Sequence, residues 1–271
     1  MAQVVDEDAA AGNGATPPPQ PPEERPRSED PEEQGSMTML EHLEELRQRM
    51  IVSAIAFILG LIATAIPLPP SWERNLTWTV IDLLIAIVGR DRIQAIEPGE
   101  VFFTYFQITM MLGLIIAMPI IVYQAMAFVV PALYPHERKY LYMAVPGALF
   151  SFTLGALFGY LLVVPAALNF LIGFGGTTID QKWRFSSYVE AVSTLIFWMG
   201  LSFQMPLVIF FLCKLRVLNV DRLKSVRKFA LVGAFVIGAV ITPTPDPFNQ
   251  TLVSVPLYML FEIGLLLARL A

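Results

Sequence analysis

Six stretches of this sequence are apolar, almost free of charge, and long compared with anything a soluble core accepts. They are Ile51–Trp72, Val101–Tyr134, Leu141–Ile179, Ala191–Cys213, Phe229–Ile241 and Phe248–Ala268. A helix needs about 20 apolar residues to cross the hydrocarbon of a bilayer, so these runs set the ruler. Across the 271 residues, 55% are hydrophobic and 15% charged, whereas soluble domains carry about 25% charged residues. The fold class expected is therefore an all-α integral membrane protein with six transmembrane helices. The spans fall at about 50–66, 102–128, 141–172, 189–213, 229–241 and 248–268.

Local signals refine the boundaries. Pro67, Pro69 and Pro70 stop the first helix near Ile66. Pro119 and Pro131 interrupt the second run, and Gly173-Phe174-Gly175-Gly176 marks the exit of the third. The segment Trp72–Gly89 mixes apolar residues with Glu73, Arg74 and Asp82, the composition of an amphipathic element at the interface. The last two helices are expected to be short, joined by the stiff hairpin Thr242-Pro243-Thr244-Pro245-Asp246-Pro247. Thirteen residues, Phe229–Ile241, cover about 20 Å.

Charge orients the spans. With six spans and an inside N-terminus, segments 1–50, 129–140, 214–228 and 269–271 hold 13 Lys and Arg residues, and the outside segments hold five. That bias is the positive-inside pattern, and it puts both termini in the cytoplasm. A seventh span would move the six bases of 214–228 outside. Residues 1–36 are a different material, with nine acids, two bases and seven of the 21 prolines. So acidic and Pro-rich a tail cannot bury enough apolar surface to offset its ordering entropy, which predicts a disordered cytoplasmic tail before a membrane domain at 37–271.

Several polar constellations stand out, each with a plain structural reading beside a functional one. Thr38-x-x-Glu41 is a capping box, and His42, Glu45 and Arg49 form a polar stripe opposite the apolar stripe Leu43, Leu46 and Met50. On the residues alone, an interfacial helix leading into the first span is the favoured reading. Pro131 and Pro135 bracket a turn presenting Glu137 among His136, Arg138 and Lys139, which by itself reads as a solvated loop with positive-inside charges. Gln204, Glu190 and Glu262 lie in or beside apolar spans, where polar groups face protein or a wet cavity. Glu97-Pro98-Gly99-Glu100 is a turn at the entry to the second span.

Other classes have little to stand on. Cys213 is the lone cysteine, and His42 and His136 lie 94 residues apart, so disulfide and zinc signatures are lacking. With no P-loop, GxSxG or nucleophile–base pattern, no enzyme, cofactor, metal or nucleic-acid partner is expected. A proton-coupled small-solute transporter is the alternative, but it wants a mid-bilayer acid or base and internal repeats; mid-span four carries Gln204.

From His42 to Arg269 the chain resembles TatC, the multispanning subunit of the twin-arginine protein translocase. The motifs are HLEELRQR, PIIVYQAMAFVVPALYPHERK, SYVEAV with GLSFQMP, and LVGAFVIGAVITPTPDPFNQTLVSVPLYMLFEIGLLLAR. The resemblance implies a core subunit in a prokaryotic plasma membrane, working with single-span partners of the TatA and TatB type and self-associating in the complex. It implies that Arg-Arg signal peptides of folded cargo dock on the cytoplasmic face, and that the proton-motive force drives export. By motif, Glu137 with Arg138 matches the acid that binds the signal's arginines, Phe128 the aromatic beside it, and Glu45 with Arg47 and Arg49 the N-terminal half of that patch. Gln204 holds the mid-span SFxxP position and Glu100 and Asp246 match outer-loop acids, while Glu262 joins Gln204 as an intramembrane or partner-contact candidate from its place in the sixth span. Where many members carry Glu in the SFxxP motif, this chain has Gln204.

Overall fold

The computed structural model describes residues 39–67, 74–129, 138–174, 181–214, 217–242 and 246–270, all within the unit Met39–Ala271. The expected tail 1–36, Thr38 of the capping box, the Pro131–Glu137 turn and Pro243–Pro245 lie outside the described residues. The described chain is helical: α1 Met39–Ala65, α2 Leu76–Val88, α3 Glu100–Val129, α4 Arg138–Phe158, α5 Val164–Phe174, α6 Phe185–Ser202, α7 Gln204–Lys214, α8 Val220–Ser225, α9 Arg227–Ile241 and α10 Pro247–Ala268. Among the described residues, the one sheet is a parallel pair of two-residue strands, β1 Ile93–Gln94 and β2 Trp183–Arg184.

Several of these helices are parts of longer rods, and prolines explain the joints. A five-residue π turn, Gly159–Val163, joins α4 to α5, and the Val164 N–H bonds back to the Gly159 carbonyl. Pro165 follows at once; it has no N–H for the Leu161 carbonyl, and the wider turn accommodates the missing bond. Over its described part, residues 141–174, the third run is thus one rod, as its sequence suggested. Likewise α6 passes into α7 through Phe203, whose N–H still reaches the Met199 carbonyl at 3.1 Å, while Pro206 deprives Ser202 of a helical donor. Pro119, expected to interrupt the second run, sits inside the unbroken 30-residue α3. One lost backbone bond is tolerated in a rod that is otherwise fully bonded and packed.

Among the described residues, five helical segments are long and apolar enough to cross a membrane: Leu40–Ala65, Glu100–Phe128, Val145–Phe174, Phe185–Lys214 and Pro247–Ala268. The expectation of two short final helices needs correction. Only α9 is short, at 15 residues or about 22 Å. Helix α10 has 22 residues, about 33 Å, because Asp246 caps it and Pro247 occupies its first turn, so it starts directly after the hairpin.

Packing between rods depends on small residues. α1 and α3 run antiparallel, and a Cβ on Gly60 would collide with the Gly113 carbonyl oxygen, so the two backbones touch there. A Cβ on Gly155 would lie 2.7 Å from the Met199 carbonyl oxygen, which brings α4 onto α6. This is the close approach that small residues permit between membrane helices. The main core gathers Ile81, Ile108, Val164, Tyr188, Met199 and Leu257 from α2, α3, α5, α6 and α10. Large apolar side chains such as Ile58, Phe150, Leu161, Val240 and Met259 face outward, as lipid-facing positions do. Helix α2, the expected amphipathic element, buries Thr77, Ile81 and Leu84 and leaves Trp78 and Asp82 on its other side.

Candidate functional site

The start of α1 and the end of α3 meet at one end of the bundle. The polar stripe of α1 points at α3. His42 stacks on Phe128 with ring centroids 4.5 Å apart and planes within 21°. Three residues on, Glu45 receives the Arg49 guanidinium on a single oxygen: Nε donates to Oε1 at 2.9 Å and Nη2 donates to the same atom. The third nitrogen, Nη1, donates to Gln124 Oε1 on α3 at 3.2 Å. Helical spacing produces this register, because residues three, four and seven apart share a face, and Gln124 and Phe128 are likewise one turn apart on α3.

The second Glu45 oxygen, Oε2, is buried and has no hydrogen-bond partner among the described residues. Such an atom is unusual, since buried acceptors nearly always find a donor, and leaving one bare costs about 1–3 kcal/mol. A guanidinium arriving from outside would supply that donor bidentately, in a geometry lysine cannot copy. The stacked His42–Phe128 pair beside it offers a flat apolar wall. Of the other expected residues, Arg47 turns away and pairs with Glu44 at 3.5 Å in an exposed contact. Glu137 and the Arg138 side chain lie outside the described residues. Gln124 was not expected from sequence; its signal was an amide one turn before Phe128 in an apolar run.

The opposite end holds another carboxylate in a contrasting setting. Glu100 opens α3 and is buried. Its Oε2 accepts the N–H groups of Ile96 at 2.9 Å and Glu97 at 3.2 Å, and its Oε1 accepts the Ser186 N–H at 2.7 Å. Arg184 lies 3.4 Å from Oε1 and pairs with Glu97 at 2.8 Å. The Glu97 carboxylate, first through that hydrogen bond, holds the Arg184 guanidinium above its ordinary range. Gly99, at φ 84°, makes the turn that folds the Ile96 and Glu97 amides back onto Glu100. One side chain thus ties the entry of α3 to the start of α6, beside the β1–β2 pair.

Comparison with known proteins gives this arrangement a family. The sequence profile described as TatC, the Sec-independent protein translocase protein, matches residues 41–256. The chain belongs to the TatC family. It is 37% identical over 237 residues to the TatC of Aquifex aeolicus, covering 87% of this chain and 96% of that one. With the TatC of Deinococcus radiodurans it shares 35% over 242 residues, 88% of each. A crystal structure of the twin arginine translocase receptor TatC superposes with a TM-score of 0.71 at 37% identity, covering 84% of this chain and 98% of that one. The molecule is accordingly a multi-pass membrane subunit of a Sec-independent protein translocase.

Within this TatC fold the three remaining candidates are tied into internal contacts, although the Gln204 Oε1 is buried with no hydrogen-bond partner among the described residues. Gln204 is buried at the α6–α7 joint, where its Nε2 donates to the Ala148 carbonyl at 2.7 Å. Glu262 on α10 is bridged internally: Arg227 donates to one oxygen at 2.7 Å and the Tyr258 hydroxyl to the other at 2.9 Å. Asp246 caps α10, accepting the Asn249 N–H on Oδ1 at 2.7 Å and the Asn249 side-chain amide on Oδ2 at 2.9 Å. The structure does not bring these three together with the Glu45 cluster. Glu190 is exposed on α6.

Proposed function

We propose that this TatC subunit is the receptor for Arg-Arg signal peptides of folded export cargo, and that the peptide's arginines engage the α1–α3 end of the bundle. The observation that carries the reading is the half-used Glu45 carboxylate, with its buried Oε2 beside the His42–Phe128 stack. Glu45 takes one arginine, in exchange with or beside Arg49, and Glu137 with Arg138 takes part in holding the pair. Phe128 lies under the apolar part of the signal. The proposed setting is a prokaryotic plasma membrane crossed six times, with α9 as the short fifth span and both termini cytoplasmic, because 13 of 18 Lys and Arg residues then lie inside. TatA- and TatB-type single-span subunits complete the complex, further copies of the chain join it, and the proton-motive force drives transport.

The acidic segment 1–36 is proposed as an appendage to the membrane domain at 37–271. Deleting residues 2–36 should leave insertion and export intact, and loss of export at normal protein level would contradict this. The receptor reading is tested by titrating a labelled signal peptide onto the purified protein. A charge-assisted hydrogen bond contributes about 1.5–3 kcal/mol. Glu137→Gln should therefore weaken binding roughly tenfold to a hundredfold, and added salt should weaken it further. Unchanged affinity in Glu137→Gln would remove that residue from the site. For topology, a reporter active only outside the cell and fused after Ala271 should stay silent.

A further inference from the structure

Helix α2 carries a second binding surface, at the end of the bundle away from Glu45. Its inner face is fastened to the body. Thr77 and Thr109 share a hydrogen bond at 3.0 Å, and the Tyr188 hydroxyl donates to the Leu84 carbonyl at 2.7 Å. Its outer face holds an unusual charge arrangement. Arg74, eight residues before Asp82, and Arg90, eight residues after it, fold inward from the two ends of α2 onto the same carboxylate. Arg74 takes Oδ2, and Arg90 takes Oδ1 at 2.9 Å. Both guanidinium groups remain well exposed. Two cations on one anion leave a net charge of +1 in an open groove of about 480 Å³, whose other walls are Trp78, Ile85 and Ile93.

Trp78 is also the wall of a second groove. It tilts over Tyr105 with centroids 5.3 Å apart, and beyond it lies a largely apolar trough of about 480 Å³ lined by Val101, Phe102, Tyr105 and Phe106, with Glu97, whose charge Arg184 offsets, at its rim. Phe102 and Phe106 are exposed. Tyr105 and Phe106 sit five and six residues into α3, about 8–9 Å along its axis from Glu100. A cationic groove and an apolar trough on the two sides of one tryptophan, near the tip of a spanning helix, match the cross-section of an amphiphile at headgroup depth.

We propose that these paired grooves bind one anionic glycerophospholipid. Its phosphate lies between Arg74 and Arg90, where planar guanidinium forks suit phosphate oxygens, and its acyl chain runs past Trp78 over Phe102 and Phe106. Asp82 occupies the two guanidinium groups until the phosphate displaces it. Assignment to the outer leaflet rests on the topology proposed above; the binding itself does not, nor does it depend on the signal-peptide reading.

The test is lipid retention by the purified full-length protein, measured by native mass spectrometry in detergent titrated with phosphatidylglycerol or phosphatidylcholine. The protein should retain phosphatidylglycerol in preference to phosphatidylcholine. Arg74→Gln with Arg90→Gln should lower that retention about tenfold or more, while Arg222→Gln, an exposed cation on α8, should not. Asp82→Asn removes the carboxylate competing for both guanidinium groups, so retention should rise; it also serves as the test if the double variant melts early. Equal retention of the two lipids, an unaltered double variant, or a fall in Asp82→Asn would overturn the proposal. Displacement by inorganic phosphate at equal concentration would show that the free anion is the ligand instead. Lost export with unchanged lipid retention would assign the groove to a protein contact. Signal-peptide binding measured on the same samples should stay constant, which separates this result from the receptor reading.

Discussion

Glu45 and Glu100 are the same side chain in nearly the same sequence setting, each close to the start of a long apolar helix with arginine within reach. Their environments are opposite. Glu100 receives three backbone N–H groups, spread over both oxygens, and has Arg184 alongside. Glu45 spends one oxygen on Arg49 and buries the other with no described partner. A carboxylate with both oxygens engaged is a fastener, and its charge goes to holding the chain together. One that keeps a buried lone pair open holds unspent binding energy for a donor from outside. The two ends of the bundle therefore differ in kind: one is knotted by its acid, the other is left incomplete.

Exchanging these roles by mutation gives the largest expected effects. Glu100→Gln should damage the fold more than any other substitution named here. Three donors aimed at two anionic oxygens would instead meet a neutral amide with a single acceptor. The measurement is thermal unfolding in detergent, with signal-peptide affinity taken on the fraction that remains folded. Melting should fall sharply while that affinity holds. Wild-type melting would mean that the knot at the far end is ornamental, and the contrast with Glu45 would collapse.

Smaller effects sharpen the contrast. Asp246→Ala removes the α10 cap and should cost about 1 kcal/mol of stability, read as a modest drop in melting temperature without loss of signal-peptide affinity. Gln204→Leu loses the hydrogen bond to the Ala148 carbonyl and should cost about 0.5–1.5 kcal/mol. A neutral amide carries no titrating proton, so export should not acquire a new pH dependence in this variant. The smallest effect is expected at Arg47, whose exposed pairing with Glu44 is worth about 0–1 kcal/mol. If Arg47→Gln weakened peptide binding as much as a change at Glu45, bulk charge rather than a built site would govern recognition.

The rods were legible in the sequence because membrane insertion writes itself as uncharged length, and no tertiary partner is needed to read it. The continuous rod of α4 and α5 and the amphipathic α2 followed from the same signal. Pro119 misled because a proline that would end a solvated helix costs one bond in a packed membrane rod. The bounds of α10 also followed from uncharged length, 248–268 against Pro247–Ala268; its description as short fails, because Asp246 and Pro247 start a full-length helix directly after the hairpin. At the candidate site, the stripe His42, Glu45 and Arg49 was visible from spacing alone. Its partners Gln124 and Phe128 stand on a helix about 75 residues away, and periodicity cannot report which face meets which. The Glu100 knot was invisible for the same reason, since Ser186 lies 86 residues on.

The central claim is that Glu45 contacts the signal's arginines directly, and a double-mutant cycle tests it with least ambiguity. Signal-peptide binding would be measured in nanodiscs for the natural protein and Glu45→Gln, each with the Arg-Arg peptide and with Lys-Lys in its place. Glu45→Gln preserves the shape of the side chain and removes its charge, and the His42–Phe128 wall stays in position. Direct contact predicts that Lys-Lys costs the natural protein much more affinity than it costs Glu45→Gln, with a coupling of about 1 kcal/mol or more. Equal losses in the two proteins, with effects that simply add, would contradict it and leave the buried Oε2 of Glu45 as a feature of packing.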